Sequence, residues 1–290
     1  MKKIFTVLIV AVIIVTAVTG CNKKTEPSKP SNSESSKSVT LQLNGSTTVF
    51  PIAQKAAEEY MKSHPNVNIS VRGTGSGNGI AALINGTCDI ADASRPMKDS
   101  EIQKAKGKGI NPFATVVAKD GIAVVVNPDN PISAITHDQL KDIYTGKITN
   151  WKTLGGKDMK IVPITRDSSS GTFEIFEEKV LGKGVEMTDK AVVQASNQAV
   201  KETVAKTPGA IGYIGLGYVD SSVKPLKYEG VLPSKKTVLD GSYVLSRPLF
   251  MYTNGEPTGI AKDFIDFVIS PEGQTIAEQV GYVAVKPTQP

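Results

Sequence analysis

Side chains that do chemistry are scarce in this chain. Two histidines, His64 and His137, and two cysteines, Cys21 and Cys88, are spread over 290 residues. There is no H-E-x-x-H, no G-x-S-x-G elbow and no Cys/His/carboxylate spacing of the kind that holds a metal. Ser221-Ser-Val-Lys224 has the form S-x-x-K, but no S-D-N or K-T-G accompanies it. No catalytic residue, metal or cofactor is therefore expected, and a secreted hydrolase is the least supported alternative. Basic runs are missing as well. The formal charge of +5 falls to +3 without Lys2 and Lys3, and no basic–aromatic stripe is present, so nucleic acid is not an expected partner.

Long apolar runs are absent after the first twenty residues. Ile4 to Val18 is one almost unbroken exception, preceded by Lys2 and Lys3 and running into Val18-Thr19-Gly20-Cys21. It falls short of the roughly 20 residues that a membrane span needs, which argues a secretory leader over residues 1–20. VTGC resembles a bacterial lipobox, which implies cleavage before Cys21 and lipidation of that cysteine. Residues 21–38 then hold no large apolar side chain and are rich in Ser, Lys and Pro, the composition of a flexible tether. Such a lipid and tether would place the globular part on the outer face of the cytoplasmic membrane. With Cys21 acylated, Cys88 has no partner and is expected as a small buried apolar residue.

From Val39 onward, short β-rich runs alternate with amphipathic helices, an α/β pattern. Strands are expected at Val39–Leu43, Val67–Arg72 and Asp89–Ala93, and helices at Pro51–Met61 and Gly79–Ile84. Thr136-His-Asp-Gln139 has the form of a capping box. A further helix, Ala199–Lys206, is stopped by Thr207-Pro208-Gly209. GIAVVVN (Gly121–Asn127) and PLFMYT (Pro248–Thr253) are apolar without helical period, and are expected as crossover strands between two lobes. Residues 39–120 plus 247–290 would form lobe I and residues 121–246 lobe II, with one continuous domain as the alternative. Trp151 is expected to pack, and Glu174, Glu177 and Glu178 to face solvent at a helix start.

Hydrogen-bond donors, by contrast, are concentrated. Arg166-Asp-Ser-Ser-Ser170-Gly171-Thr172 puts an arginine and four hydroxyls at the mouth of one helix. Asn44-Gly-Ser46-Thr47-Thr48, Gly73-Thr-Gly-Ser76-Gly77-Asn-Gly79 and Asp92-Ala-Ser94-Arg95 also lie on strand ends or strand-to-helix turns. Open α/β sheets bind ligands at such turns. A helix N-terminus has unpaired N–H groups and roughly +0.5 of an elementary charge, to which Ser and Thr add donors and glycine adds close approach. Arginine adds planar, bidentate charge-assisted bonds to a tetrahedral oxyanion. Taken singly, GSTT and the glycine run are better accounted for by ordinary capping. It does not account for RDSSSGT.

These motifs resemble those of the phosphate-binding lipoproteins that feed the Pst-type phosphate ABC transporter. The likeness runs from about Val39 to the C-terminus and includes IYTGKITNW (143–151) and PGAIGY (208–213). It implies a type II periplasmic-binding-protein fold, two α/β lobes joined by two crossover strands, capture of inorganic phosphate, and delivery to transmembrane permease subunits by a monomer. Carried over residue by residue, the phosphate-binding set is Ser46, Thr47, Thr48, Ser76, Gly77, Ser94, Arg95, Arg166, Ser170, Gly171 and Thr172. One branch of the family has an Asp at the strand end, where this chain has Ser94 followed by Arg95. Asp92 or Asp167 would then accept the phosphate proton that sulfate lacks. Sulfate, molybdate or an organophosphate is the alternative ligand.

Overall fold

A computed structural model describes residues 38–285. The apolar leader, Cys21 and nearly all of the polar segment after it lie outside these residues. Among the described residues, no helix is long and apolar enough to cross a membrane.

The amino-terminal part alternates strand and helix. β1 (Val39–Gly45), β2 (Val67–Gly73) and β3 (Ile90–Ala93) are separated by α1 (Phe50–Ser63) and α2 (Ser76–Ile84), and α3 (Asp99–Gly107) follows. β1 buries Leu41 and Leu43 and leaves Thr40 and Gln42 exposed, the period-two pattern of a half-buried strand. α1 begins with Pro51 in its first turn and buries Ile52, Ala53, Ala56, Ala57 and Tyr60, a stripe at helical spacing.

The rest of the chain adds β4 (Pro112–Val126), β5 (Ala134–Ile135), α4 (His137–Tyr144) and β6 (Val162–Arg166). Next come α5 (Gly171–Phe176), β7 (Val192–Gln194), α6 (Asn197–Lys206) and β8 (Ala210–Gly215). β9 (Lys224–Pro225), β10 (Lys227–Tyr228), α7 (Lys235–Leu239), β11 (Ser246–Asn254), α8 (Gly259–Ile269) and α9 (Pro271–Gln279) complete it. The Thr136 box forms as expected: Gln139 N donates to Thr136 Oγ1 at 3.3 Å and Thr136 N to Gln139 Oε1 at 3.0 Å.

Nine strands make one sheet in the order β2-β1-β3-β11-β4-β8-β6-β7, with β9 beside β4. β1–β2, β1–β3, β6–β8 and β6–β7 pair in parallel, whereas β11–β3, β11–β4 and β4–β8 are antiparallel. β4 is the seam. Its residues Pro112–Gly121 pair with β11, and Ile122–Val126 pair with β8. The strand expected to start at Gly121 thus starts at Pro112, because the apolar run Val116–Ala118 continues the same sheet.

The interior falls on two sides of this seam. Leu41, Leu43, Ile52, Leu249 and Phe264 pack together on one side, with Ile80, Leu83 and Phe250 in a neighbouring cluster. On the other side, Val124, Tyr144, Trp151, Phe176 and Tyr213 form one cluster, and Ala123, Ile164, Val200 and Ile214 another. The rings of Phe176 and Tyr213 stack 3.9 Å apart. Trp151 is fully buried, and its indole N–H donates to Gly209 O at 2.9 Å, which is a packing role. This layout points the carboxyl ends of β1, β3 and β6, and the amino ends of α1, α2, α5 and α6, toward one region.

Candidate anion-binding site

The turn after β1 is both a cap and a donor set. Ser46 N donates to Asp92 O at 2.8 Å. Ser46 Oγ accepts from Thr48 N at 3.1 Å and Val49 N at 3.3 Å, so this hydroxyl serves the start of α1. Thr47 and Thr48 are buried beside it. The glycine run brings a second turn into contact with the RDSSSGT segment. Gly75 has φ +106°, and a Cβ there would lie 2.3 Å from Ser169 Oγ. Gly77 N donates to Ser169 O at 2.8 Å, so that amide is occupied by backbone.

The segments converge at α5. Ser170 caps this helix by accepting from Phe173 N at 3.2 Å. A Cβ on Gly171 would lie 2.5 Å from Ser76 Oγ and 2.8 Å from Ser94 Oγ, so only glycine lets the helix start meet those two hydroxyls. Ser76 Oγ and Ser94 Oγ are 3.3 Å apart, and Ser94 N donates to Ser76 Oγ at 3.1 Å. Thr172 Oγ1 lies 3.1 Å from Thr48 Oγ1. Residues 46–48, 76, 94 and 170–172, dispersed in the chain, thus form one buried polar cluster.

The two expected arginines fare differently. Arg166, at the end of β6, is 2% exposed, donating from Nε to Gln194 O at 3.0 Å and from Nη2 to Ala195 O at 3.0 Å. Its Nη1 is buried with no partner. Burial lowers the Arg166 pKa, with the nearby Arg247 cation pushing the same way and Asp167 opposing. Arg95 is directed elsewhere. Its guanidinium forms a fork with Glu101, Nη1–Oε2 at 2.7 Å and Nη2–Oε1 at 2.8 Å. Its Nε lies 2.8 Å from Glu174 Oε2, close enough for an ion pair but poorly aligned for a hydrogen bond. Lys98 Nζ reaches the same Glu174 oxygen at 2.7 Å. Glu174, expected at a solvated face, is therefore an ion-pairing residue that ties α5 to the β3–α3 connection.

Three residues central to the cluster escaped the sequence reading. Arg247, 4% exposed, donates from Nη2 to Thr172 Oγ1 at 2.9 Å and Thr48 Oγ1 at 3.2 Å, and from Nη1 to Ser94 O at 3.2 Å. Asp120 binds the same guanidinium, with Nε and Nη2 at 3.0 and 2.8 Å from Oδ2. Burial raises the Asp120 pKa, and the Arg247 cation pulls it back. Asn197, fully buried at the start of α6, donates from Nδ2 to Thr47 Oγ1 and Thr48 Oγ1, each at 3.0 Å. One signal was available for the first two. Arg247 is the single charge of apolar β11 and Asp120 adjoins the apolar run Gly121–Val126 of β4, where a charge is costly to bury unpaired, and the two are direct cross-strand partners. Asn197 carried no such signal.

The two candidate proton acceptors also separate. Asp167 Oδ1 accepts from Ser169 N at 2.9 Å and Ser169 Oγ at 2.5 Å, closing its own turn. Asp92 is 1% exposed, both carboxyl oxygens lack a partner, and burial raises its pKa well above the usual carboxylate range. Cys88 is buried and free, and burial pushes its thiol up to about 12. His64 stacks on Tyr60 with ring centroids 3.9 Å apart. His137 meets the Tyr228 hydroxyl at 2.8 Å. Neither histidine makes a hydrogen bond to the polar cluster. Among the described residues, no group of three or more His, Cys, Asp or Glu is placed to hold a metal ion.

Comparison with known proteins agrees with this geometry. A family model described as a PBP superfamily domain matches residues 30–272. The chain is 37% identical to the phosphate-binding protein PstS of Bacillus subtilis, over 98% of this chain and 94% of that one. It is 39% identical to PstS of Staphylococcus epidermidis, over 83% of this chain and 77% of the relative. Among solved structures, a phosphate ABC transporter substrate-binding protein of Clostridium perfringens, with bound phosphate, superposes with a TM-score of 0.80 at 39% identity, covering 85% of this chain and all of that one. An ABC-type phosphate transport receptor of Vibrio cholerae gives 0.69 at 36% identity, covering 85% and 100%. The chain is a member of the PBP superfamily, with the periplasmic-binding-protein fold, and belongs to the family of the PstS proteins that it matches along most of its length.

Proposed function

We propose that this protein captures inorganic phosphate outside the cytoplasmic membrane and delivers it to the permease subunits of an ABC transporter. It acts by binding and release, with no chemistry on the ligand. One observation carries the reading. The Arg166 guanidinium is buried with Nη1 unpartnered, next to a cluster of hydroxyls that already holds a second buried guanidinium, Arg247. Removing a cation from water costs several kcal/mol unless an anion or full hydrogen bonding offsets it. A tetrahedral dianion supplies four acceptor oxygens for the donors of Thr47, Ser76, Ser94, Ser170 and Thr172, the Gly171 helix start and the two arginines, with Thr48 supporting Thr172 from behind. Arg247 takes the second-cation place that the sequence reading gave to Arg95.

The reading extends to the whole protein. Residues 39–120 plus 247–285 form lobe I and residues 121–246 lobe II, a division supported by the separation of the apolar clusters along β4. Thr48 with Thr172, Gly77 with Ser169 and Arg95 with Glu174 then meet across the cleft, so the structure has the closed form. Lipidation of Cys21 holds the monomer at the membrane. Both Cys21 and the leader lie outside the described residues. Calorimetric titration with phosphate, sulfate and molybdate tests the ligand. Saturable heat with phosphate that a tenfold excess of sulfate does not abolish supports it; absence of phosphate heat at micromolar protein refutes it, and displacement by sulfate assigns the site to oxyanions in general.

A further inference from the structure

The Asn197 amide can have only one orientation. Gly215 N–H donates to Oδ1 at 3.1 Å, and an N–H cannot accept, so the carbonyl side must face Gly215. The NH₂ group therefore faces Thr47 Oγ1 and Thr48 Oγ1, at 3.0 Å each, as a donor to both. Guanidinium also has no acceptor: one Arg247 Nη2 proton goes to Asp120 Oδ2 at 2.8 Å, and the other is shared between Thr172 Oγ1 at 2.9 Å and Thr48 Oγ1 at 3.2 Å.

A hydroxyl oxygen has two lone pairs and one proton. Thr48 Oγ1 thus faces a donor on two sides, the Asn197 amide and the shared Arg247 proton, and its own proton can point at neither. Its contact with Thr172 Oγ1 at 3.1 Å is therefore assigned as a donation from Thr48. That fills the second lone pair of Thr172, whose own proton is left for a solute. Thr47 has one lone pair filled by Asn197 and its proton likewise free to donate. The result is a one-way chain from the Gly215 amide through Asn197 and Thr48 to Thr172, each bond polarising the next.

We infer that Asn197 is a positioning residue that sets the direction of the Thr47 and Thr48 hydroxyls, so that the cluster presents protons to its ligand. The inference rests on the anion-binding reading above and adds the selectivity of that site. Oxyanions, rich in unprotonated acceptor oxygens, are welcomed, and neutral polyols of similar size, whose every oxygen carries a proton to donate, leave lone pairs and protons mismatched. Asn197 touches the hydroxyls and acts through them.

A double-mutant cycle on the detergent-solubilised full-length protein tests this, with phosphate affinity read by calorimetry. Asn197→Ser removes the amide donor and is expected to weaken phosphate binding about tenfold, the upper end of the net worth of one neutral hydrogen bond. In a Thr48→Val background, itself a weakened binder, the same change is expected to cost only about two- to threefold, because the hydroxyl it directs is gone. Equal costs in the two backgrounds overturn the inference. A neutron structure of the wild-type protein needs no variant. The Thr48 deuteron is expected on the Thr172 side, and a deuteron aimed at Asn197 overturns the inference. Wild-type protein giving no phosphate heat refutes the phosphate reading instead, and leaves the direction of the chain to the neutron result.

Discussion

Arg247 and Asp120 share the interior at 4% and 0% exposure and satisfy one another at 2.8 Å. Breaking such a pair from one side strands a buried charge, whereas replacing both sides with apolar groups is close to neutral. Arg247→Ala is therefore expected to lower unfolding free energy by about 3–5 kcal/mol, measured by urea denaturation. The double replacement Asp120→Leu, Arg247→Leu should recover most of that stability and none of the phosphate binding. Recovery of both would remove Arg247 from the site. Asp92 offers a separate test with a definite sign. Its folded pKa is raised above 3.8 by burial, so its contribution to stability is fully present below that value and is lost as pH rises through the folded pKa. Asn keeps the neutral shape at every pH. The stability of Asp92→Asn relative to the native protein should thus grow as pH is raised from about 4 to about 8. A difference that stays constant over that range contradicts a neutral buried Asp92.

At the scale of elements, the start of α5 works because nothing projects from Gly171. A methyl there would lie 2.5 Å from Ser76 Oγ and 2.8 Å from Ser94 Oγ. Gly171→Ala should cost about 1–3 kcal/mol by overpacking and should also weaken phosphate binding, because it wedges α5 away from α2 and β3. Unchanged affinity by calorimetry would mean that this junction does not face the ligand. Such turns were legible in the sequence because their signals are local: a capping hydroxyl, a glycine, a strand period giving way to a helix. β1, α1, β2 and α6 appear within a few residues of their expected bounds for that reason. The Arg247–Asp120 pair was not legible, since its partners are 127 positions apart and meet only through the β4–β11 register. Arg95 was legible as a buried guanidinium at a strand end but not in its direction. That is decided by Glu101 one turn into α3 and by Glu174 on a different helix.

At the scale of the whole molecule, Glu174 joins the two proposed lobes, with Arg95 Nε at 2.8 Å and Lys98 Nζ at 2.7 Å on one carboxylate oxygen. The Glu174 side chain is 13% exposed and that of Arg95 is 4%, so water and salt screen this contact less than a surface pair. Glu174→Gln should destabilise the closed form and speed phosphate release about three- to tenfold with little change in the association rate, measured by stopped flow. A change confined to association would assign Glu174 to steering instead. The most direct test of the site as a whole is a crystal structure of the protein grown with phosphate. Tetrahedral density is expected within hydrogen-bonding distance of Arg166 Nη1, Arg247 and the Thr172 hydroxyl, between the two sides of β4. Phosphate found away from all three, or held with both guanidiniums turned aside, would contradict it.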